Sequence, residues 1–306
     1  MTTTTYWGRT QFPPGNDAAS PPWVLREIEG KGFAAFATRR FEMGELICTE
    51  LPTVWAPGHH PFSAAQVAEI EARVSGLGDE ERGAFYAMAN VFPVPDAATR
   101  AAGIFMTNAF DMTDSPHGEA CAMYLALARL NHSCTPNAQQ THLPDTGEEV
   151  LYASRAIEAG EEINDCYIEL RQPAARRRAE LADLYRFDCS CPACCCLGAE
   201  AGTDDANRTR AAQLDDLVVD VAAESGPARA LDVALQAVRL LTAPENLPWS
   251  ARYVADAHLS VYQLCEALDK RELARKHIAA ALEMNLLLQG PRSPVSKTII
   301  SRKALR

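Results

Sequence analysis

Three thiols fall within one six-residue stretch, Cys189-Ser190-Cys191-Pro192-Ala193-Cys194. That spacing lets a short loop offer three sulfurs to a tetrahedral ion such as zinc, and a structural zinc site needs a fourth ligand. Cys195 and Cys196 adjoin the loop, but neighbouring residues are awkwardly directed for one tetrahedron, so a distant thiol such as Cys134 or Cys166 is physically reasonable. Cysteines this dense are poor packing material as free thiols. In a reducing compartment such a cluster reads as metal-binding rather than as a disulfide framework. A second concentration of chemistry is Asn131-His132-Ser133-Cys134-Thr135-Pro136-Asn137, a run of small hydrogen-bonding side chains directly after the apolar MYLALARL. The apolar run pins such a polar knot against a core, where it suits ligand binding. Taken alone, His132 reads equally as a satisfied core histidine or as a catalytic base.

The flanking elements must position these two segments. Residues 1–22 are rich in Thr, Pro and Ser without regular apolar spacing, and read as a flexible or surface-draped lead-in. From Trp23 to Val54, short extended segments broken by Gly30, Gly32 and Gly44 predict strands and hairpins. Apolar spacing turns helical over 63–110, with Pro93 and Pro95 between the last two segments, which predicts a helical insert at about 60–110. Short strands return around QQTHL, EEVLYASRAI and EEINDCYIEL. After Gly202 the periodicity predicts helices at roughly 205–224, 226–242, 249–268 and 271–288. Ala274, Ile278 and Ala281 match the second helix of a tetratricopeptide repeat, although no clean period emerges. The closing PRSPVSKTIISRKALR carries five positive and no negative side chains and reads as a solvated tail. The expected fold class is α+β, with an all-α C-terminal domain.

At 306 residues the chain can bury a substantial core, and 47% apolar with 23% charged residues is an ordinary globular composition. A net charge of −11 argues against direct nucleic-acid binding and is compatible with a basic, Lys-rich protein partner. No apolar run approaches membrane-spanning length and the N-terminus lacks a signal-peptide pattern, so the expected location is intracellular, in nucleus or cytoplasm.

Four motifs occur in one order: Gly30-Lys31-Gly32, Asn131-His132-Ser133-Cys134-x-Pro136-Asn137, Gly160-Glu161-Glu162-Ile163-x-x-x-Tyr167 and Cys189-x-Cys191-x-x-Cys194. Gly-x-Gly alone carries no weight, but four motifs in register over residues 24–196 resemble SET-domain protein lysine methyltransferases, closest to their SET-and-MYND branch. The resemblance implies small curved sheets with a knot-like threading that brings Asn-His and a catalytic tyrosine around S-adenosylmethionine (SAM). It implies a lead-in over 1–22, a SET domain over 23–170, a post-SET zinc loop over 171–200 and a helical domain over 201–306. By matching position, Lys31, Gly32, Asn108, Tyr124, Asn131, His132 and Phe187 line the cofactor site, and Tyr167 is the catalytic residue. Cys134 becomes the fourth ligand to one structural zinc held by Cys189, Cys191 and Cys194.

Two departures from the family pattern bear on function. No Cys lies between 48 and 121, where the MYND finger is inserted, and His59-His60 reads as a turn decoration, so a finger-mediated partner is not expected. Asp165 stands two residues before Tyr167, where the family carries an aromatic or aliphatic residue lining the substrate channel. A carboxylate there would stabilise a cationic acceptor nitrogen unless it takes the proton as a general base or points away, leaving Cys166 or Asn164 to face in. Three readings follow: a SAM-dependent protein lysine N-methyltransferase, a SET-fold enzyme using SAM on a small molecule, and a SET-derived binding module.

Overall fold

Short extended runs ended by glycine or acidic turns fold here as small hairpins rather than as one large sheet. The computed structural model describes residues 7–14, 20–28, 32–58, 63–92, 97–115 and 118–304. Its N-terminal half holds β1 (Thr10–Gln11), β2 (Trp23–Ile28), β3 (Gly32–Ala37), β4 (Leu46–Glu50) and β5 (Val54–Pro57). Helices α1 (Ala64–Ser75), α2 (Asp79–Tyr86) and α3 (Ala97–Asn108) follow, then β6 (Phe110–Ser115) and β7 (Gly118–Met123). The chain continues through β8 (Asn131–His132), β9 (Ala138–Leu143), β10 (Glu148–Ala153) and β11 (Asn164–Asp165). Helices α4 (Ala174–Tyr185), the single turn α5 (Pro192–Cys195), α6 (Ala199–Ser225), α7 (Pro227–Leu241), α8 (Leu247–Ala267), α9 (Arg271–Leu288) and α10 (Pro294–Ala304) complete it.

The strands form four small sheets. Strands β1, β4, β10 and β9 lie side by side in that order, β2 pairs with β3, and β7 lies between β5 and β6. The fourth sheet is the parallel pair β8 and β11, which joins residues 131–132 to 164–165. Trp23, Phe41, Ile47, Tyr124 and Leu151 are fully buried in one core under these sheets. A second core lies between the three-stranded sheet and the insert, where α1 turns Ile70 and Val74 inward one helical turn apart. Ser63 starts that helix through a reciprocal capping box with Gln66.

Helices α6 to α9 pack each on the next, and α7 buries Leu231, Ala234, Val238 and Leu241 along one face. The helical region rests on the sheets through α9 and β10. Gly44 marks the joint: its φ of +83° favours glycine, and a Cβ there would lie 2.5 Å from the Leu287 side chain.

The structure departs from the sequence expectations at three places. Residues 7–14 of the expected lead-in are tied down, because Trp7 packs edge-on against Trp23 at 4.6 Å and Thr10 pairs with Glu50. Isolated anchors of this kind leave no periodic signal. The expected solvated tail contains α10, which buries Ser296 and Ile299, three apart on one helix face, directly after the buried Ser293. The segment EEINDCYIEL gives only the two-residue β11, because its partner β8 is equally short before the chain bends at Cys134–Thr135.

Gly44→Ala combines backbone strain with the Leu287 approach, and is expected to cost about 1–3 kcal/mol in denaturant unfolding. An unchanged midpoint would contradict the close joint between sheet and helical region.

Candidate cofactor site and cysteine cluster

The site is assembled where two distant segments cross. Asn131 pairs with Asn164 and His132 with Asp165 in parallel register. Beyond the strands, the Ser133 amide donates to the Asp165 carbonyl at 2.8 Å. Asn137, fully buried, fastens the crossing: its Oδ1 accepts the Asn164 amide at 2.7 Å, while its Nδ2 donates to the Glu162 carbonyl at 2.8 Å and to Glu161 Oε1 at 3.1 Å. Buried groups of this kind need all their partners, so the crossing tolerates little change. On the approach, Glu50 of β4 accepts the amides of Ala126 and Leu127, both at 3.0 Å, and so holds the apolar run that delivers Asn131.

Asn131 donates through Nδ2 to the Phe33 carbonyl at 3.1 Å and to Glu162 Oε1 at 2.9 Å, joining the crossing to β3. His132 is buried, and its Nδ1 accepts the Tyr167 amide at 3.0 Å. The ring proton is therefore assigned to Nε2, which lies 3.3 Å from Cys134 Sγ. Burial pulls the imidazole down to about 4, keeping it neutral. The Tyr167 hydroxyl donates to the Leu130 carbonyl, and its ring lies 5.4 Å from His132 and 5.0 Å from Tyr185. Burial, aided by Asp165, raises its pKa above the ordinary value and keeps it a phenol. Phe187 brings its ring to 6.3 Å from His132. Arg186, at φ 59°, ends α4 in the left-handed region and turns the chain toward Phe187 and the first cysteine of the cluster.

The four sulfurs of Cys134, Cys189, Cys191 and Cys194 lie within 4.8 Å of one another, Cys134 and Cys194 at 3.5 Å. Four sulfurs at about 2.3 Å from a tetrahedral zinc would be roughly 3.8 Å apart, so the donor set fits that ion. Pro192 opens α5, and the Cys194 amide donates to the Cys191 carbonyl at 3.0 Å, a turn that brings both sulfurs to one side. Of the other candidate fourth ligands, Cys195 is exposed, Cys196 is directed toward Glu200, and Cys166 receives the guanidinium of Arg252.

Asp165 points inward. It is 3% exposed, its Oδ1 accepts no hydrogen bond among the described residues, and burial pushes its carboxyl up to about 6 against the pull of Arg252 and the Cys166 amide. Sequence reasoning missed its surroundings. Glu149 is buried on β10, raised to about 7 by burial with a further push from Asp165, and lies 3.5 Å from His142 of β9, an ion-pair distance rather than a hydrogen bond. The only sequence signal for that pair is antiparallel alternation, which sets His142 opposite Glu149. From α8, Arg252 meets Cys166, and the Tyr253 hydroxyl accepts the Leu170 amide at 3.1 Å and donates to Glu169 at 2.7 Å, so the helical region braces the segment bearing Tyr167.

Asn108 and Tyr124, also expected at the cofactor, make contacts of their own. Asn108 spends its Nδ2 on the carbonyls of Ala89 and Ile104, closing α3. Tyr124 is fully buried, with its hydroxyl on the Gly147 carbonyl at 3.0 Å. Among the described residues neither bonds to Asn131, His132 or Tyr167. Gly32 opens β3 at φ +76°, and Lys31 and His59-His60 lie outside the described residues.

Residues 32–168, which contain the crossing, match the SET domain family. The chain carries a SET domain. Its sequence is 31% identical over 167 residues to the histone-lysine N-methyltransferase set5 of Schizosaccharomyces pombe, covering 55% of this chain and 48% of that protein. It is 33% identical over 187 residues to the N-lysine methyltransferase SMYD2-B of Danio rerio, covering 56% and 43%. It is also 38% identical over 76 residues to the human histone-lysine N-methyltransferase SMYD3, covering 24% and 16%. The chain thus spans under half the length of each of these relatives. The matched segment supplies Cys134, the loop after α4 supplies Cys189 and Cys191, α5 supplies Cys194, and α8 supplies the brace.

The raised carboxyl of Asp165 has a thermodynamic signature. Between about pH 4 and pH 6 the folded state holds its proton more tightly than the unfolded state, so this contribution to stability is lost as pH rises through that window. Asp165→Asn is expected to gain stability relative to the unaltered protein from pH 4 to pH 8, by up to about 3 kcal/mol for a shift from 3.8 to about 6. A difference independent of pH would show that Asp165 is not held in the buried position described.

Proposed function

We propose that the chain is a SAM-dependent protein lysine N-methyltransferase with one structural zinc. The observation that carries this is the crossing itself, which puts the Tyr167 amide on His132 Nδ1 and the Tyr167 ring beside those of His132 and Tyr185. Asn131, His132 and Phe187 offer a carboxamide, a neutral imidazole and an aromatic face, a mixture suited to a nucleoside cofactor, while Lys31, Gly32, Asn108 and Tyr124 are assigned to it by motif position alone. Both ring nitrogens of His132 are engaged, so it would meet the cofactor with its ring face or main chain.

SAM supplies an electrophilic methyl group on a sulfonium. The chain's part is to place and deprotonate an acceptor nitrogen in line with that methyl, which is chiefly positioning. Tyr167, kept as a phenol and anchored on the Leu130 carbonyl, orients the acceptor. Asp165 lines the acceptor channel, and a carboxyl near 6 is better matched to taking a proton at neutral pH than an ordinary aspartate. The net charge of −11 favours basic, Lys-containing protein substrates, and among the described residues no helix is long and apolar enough to cross a membrane.

The buried, inward Asp165 also favours a second reading, in which the acceptor is a small molecule bearing its own hydrogen-bond donor. Incubation with methyl-labelled SAM and either histones or a cell extract separates the two. The first reading predicts label in protein, abolished or strongly reduced by Tyr167→Phe; label confined to small molecules supports the second. Zinc-loaded protein that transfers no label to either class would overturn both.

A further inference from the structure

A pair of histidines stands apart from the crossing and from the cysteines, in the seam between the consecutive helices α8 and α9, which residues 268–270 join. His258 of α8 and His277 of α9 face each other Nδ1 to Nδ1 at 2.8 Å, with ring centroids 4.9 Å apart and ring planes inclined by 46°. His277 is 4% exposed and His258 is half-buried. About one turn away on the same helix faces lie Val254 and Val261 of α8 and Ala274 and Ala281 of α9, all buried. The seam thus presents two imidazole nitrogens within an apolar frame. As a hydrogen bond, the contact requires one ring to carry its proton on Nδ1 and the other to leave Nδ1 bare.

We propose that His258 and His277 form a two-histidine clamp for a divalent transition-metal ion of the nickel(II) or copper(II) type, separate from the cysteine cluster. Neutral imidazole ligates nickel, copper and zinc through either ring nitrogen. Geometry chooses among these ions. Two nitrogens about 2.0–2.1 Å from one ion are roughly 2.9 Å apart at adjacent corners of a square or octahedron, and roughly 3.3–3.4 Å apart at corners of a tetrahedron. The separation of 2.8 Å matches the first arrangement, which copper(II) and nickel(II) prefer, better than the tetrahedron of zinc. Binding uses both Nδ1 lone pairs, so the bridging proton moves to Nε2 of its own ring and the pair keeps its proton count. Two protein ligands leave the other positions to water, which reaches the half-buried His258 side. An ion held there ties α9 to the helix whose Arg252 and Tyr253 brace the segment bearing Tyr167. The clamp depends on neither the SAM nor the zinc reading.

The test is calorimetric titration of nickel(II) into the untagged full chain, preloaded with zinc and freed of excess ion, beside the variants His258→Gln and His277→Ala. Thiols and histidines elsewhere are common to the three proteins, so the difference between them isolates the clamp. The unaltered chain is expected to show a nickel-binding step that both variants lose. If His277→Ala does not fold, proton NMR of the unaltered chain decides the second ligand: paramagnetic nickel(II) is expected to broaden the ring signals of His258 and His277 before those of the other histidines. A binding step retained in either folded variant, or ring signals of the pair that stay sharp as nickel is added, would overturn the clamp and leave the two histidines as a hydrogen bond between helices.

Discussion

The sulfur of Cys134 lies where three parts of the chain meet, and the rest of the site is arranged around it. It belongs to the same turn as Asn131 and His132, it stands 3.5 Å from Cys194 of the cysteine loop, and it faces His132 Nε2 at 3.3 Å. Since the Tyr167 amide occupies His132 Nδ1, the state of this sulfur bears on the tautomer and angle of the imidazole and through it on Tyr167. A thiolate fixed by metal makes that chain of contacts rigid. A free thiol leaves the imidazole with a weak and rotatable partner.

Burial of charge is the main cost carried by the fold around the site. Glu50, Glu149 and Asp165 are each nearly inaccessible, and burial raises all three carboxyls. Their circumstances differ. Glu50 is offset by backbone amides and acts as a cap for the segment that delivers Asn131. Glu149 has His142 at ion-pair distance, yet its Oε2, like Asp165 Oδ1, accepts no hydrogen bond among the described residues. Of the three, only Asp165 stands two residues from Tyr167, and the proposal that it faces the acceptor starts from that position.

Much of this was legible in the sequence, for identifiable reasons. Cysteines at 189, 191 and 194 announce a metal loop through spacing alone, and their resemblance to a known pattern selects Cys134 over Cys166, the choice that the sulfur positions favour. The helices after Gly202 are legible because α7 repeats its apolar face at helical period. What the sequence hides is contact across distance. Glu50 looks like a strand-end acid until Ala126 and Leu127 donate to it from 76 and 77 residues away. Arg177 and Arg208 look like ordinary charged helix positions, and only the fold shows them wholly buried, Arg208 on the Cys134 carbonyl. The last helix was masked by the five positive charges of the closing stretch, because its buried side rests on the small Ser293 just before it and Ser296 within it, with Ile299, rather than on a strongly apolar stripe.

The central claim is that metal occupancy at Cys134 and the competence of the cofactor site are one property. It is tested most directly by calorimetry of SAM binding to the same protein stripped of zinc and then reloaded. The account predicts weak or undetectable binding in the stripped protein and recovery in step with the zinc restored. Equal SAM affinity in both states, with the protein folded throughout, would contradict it.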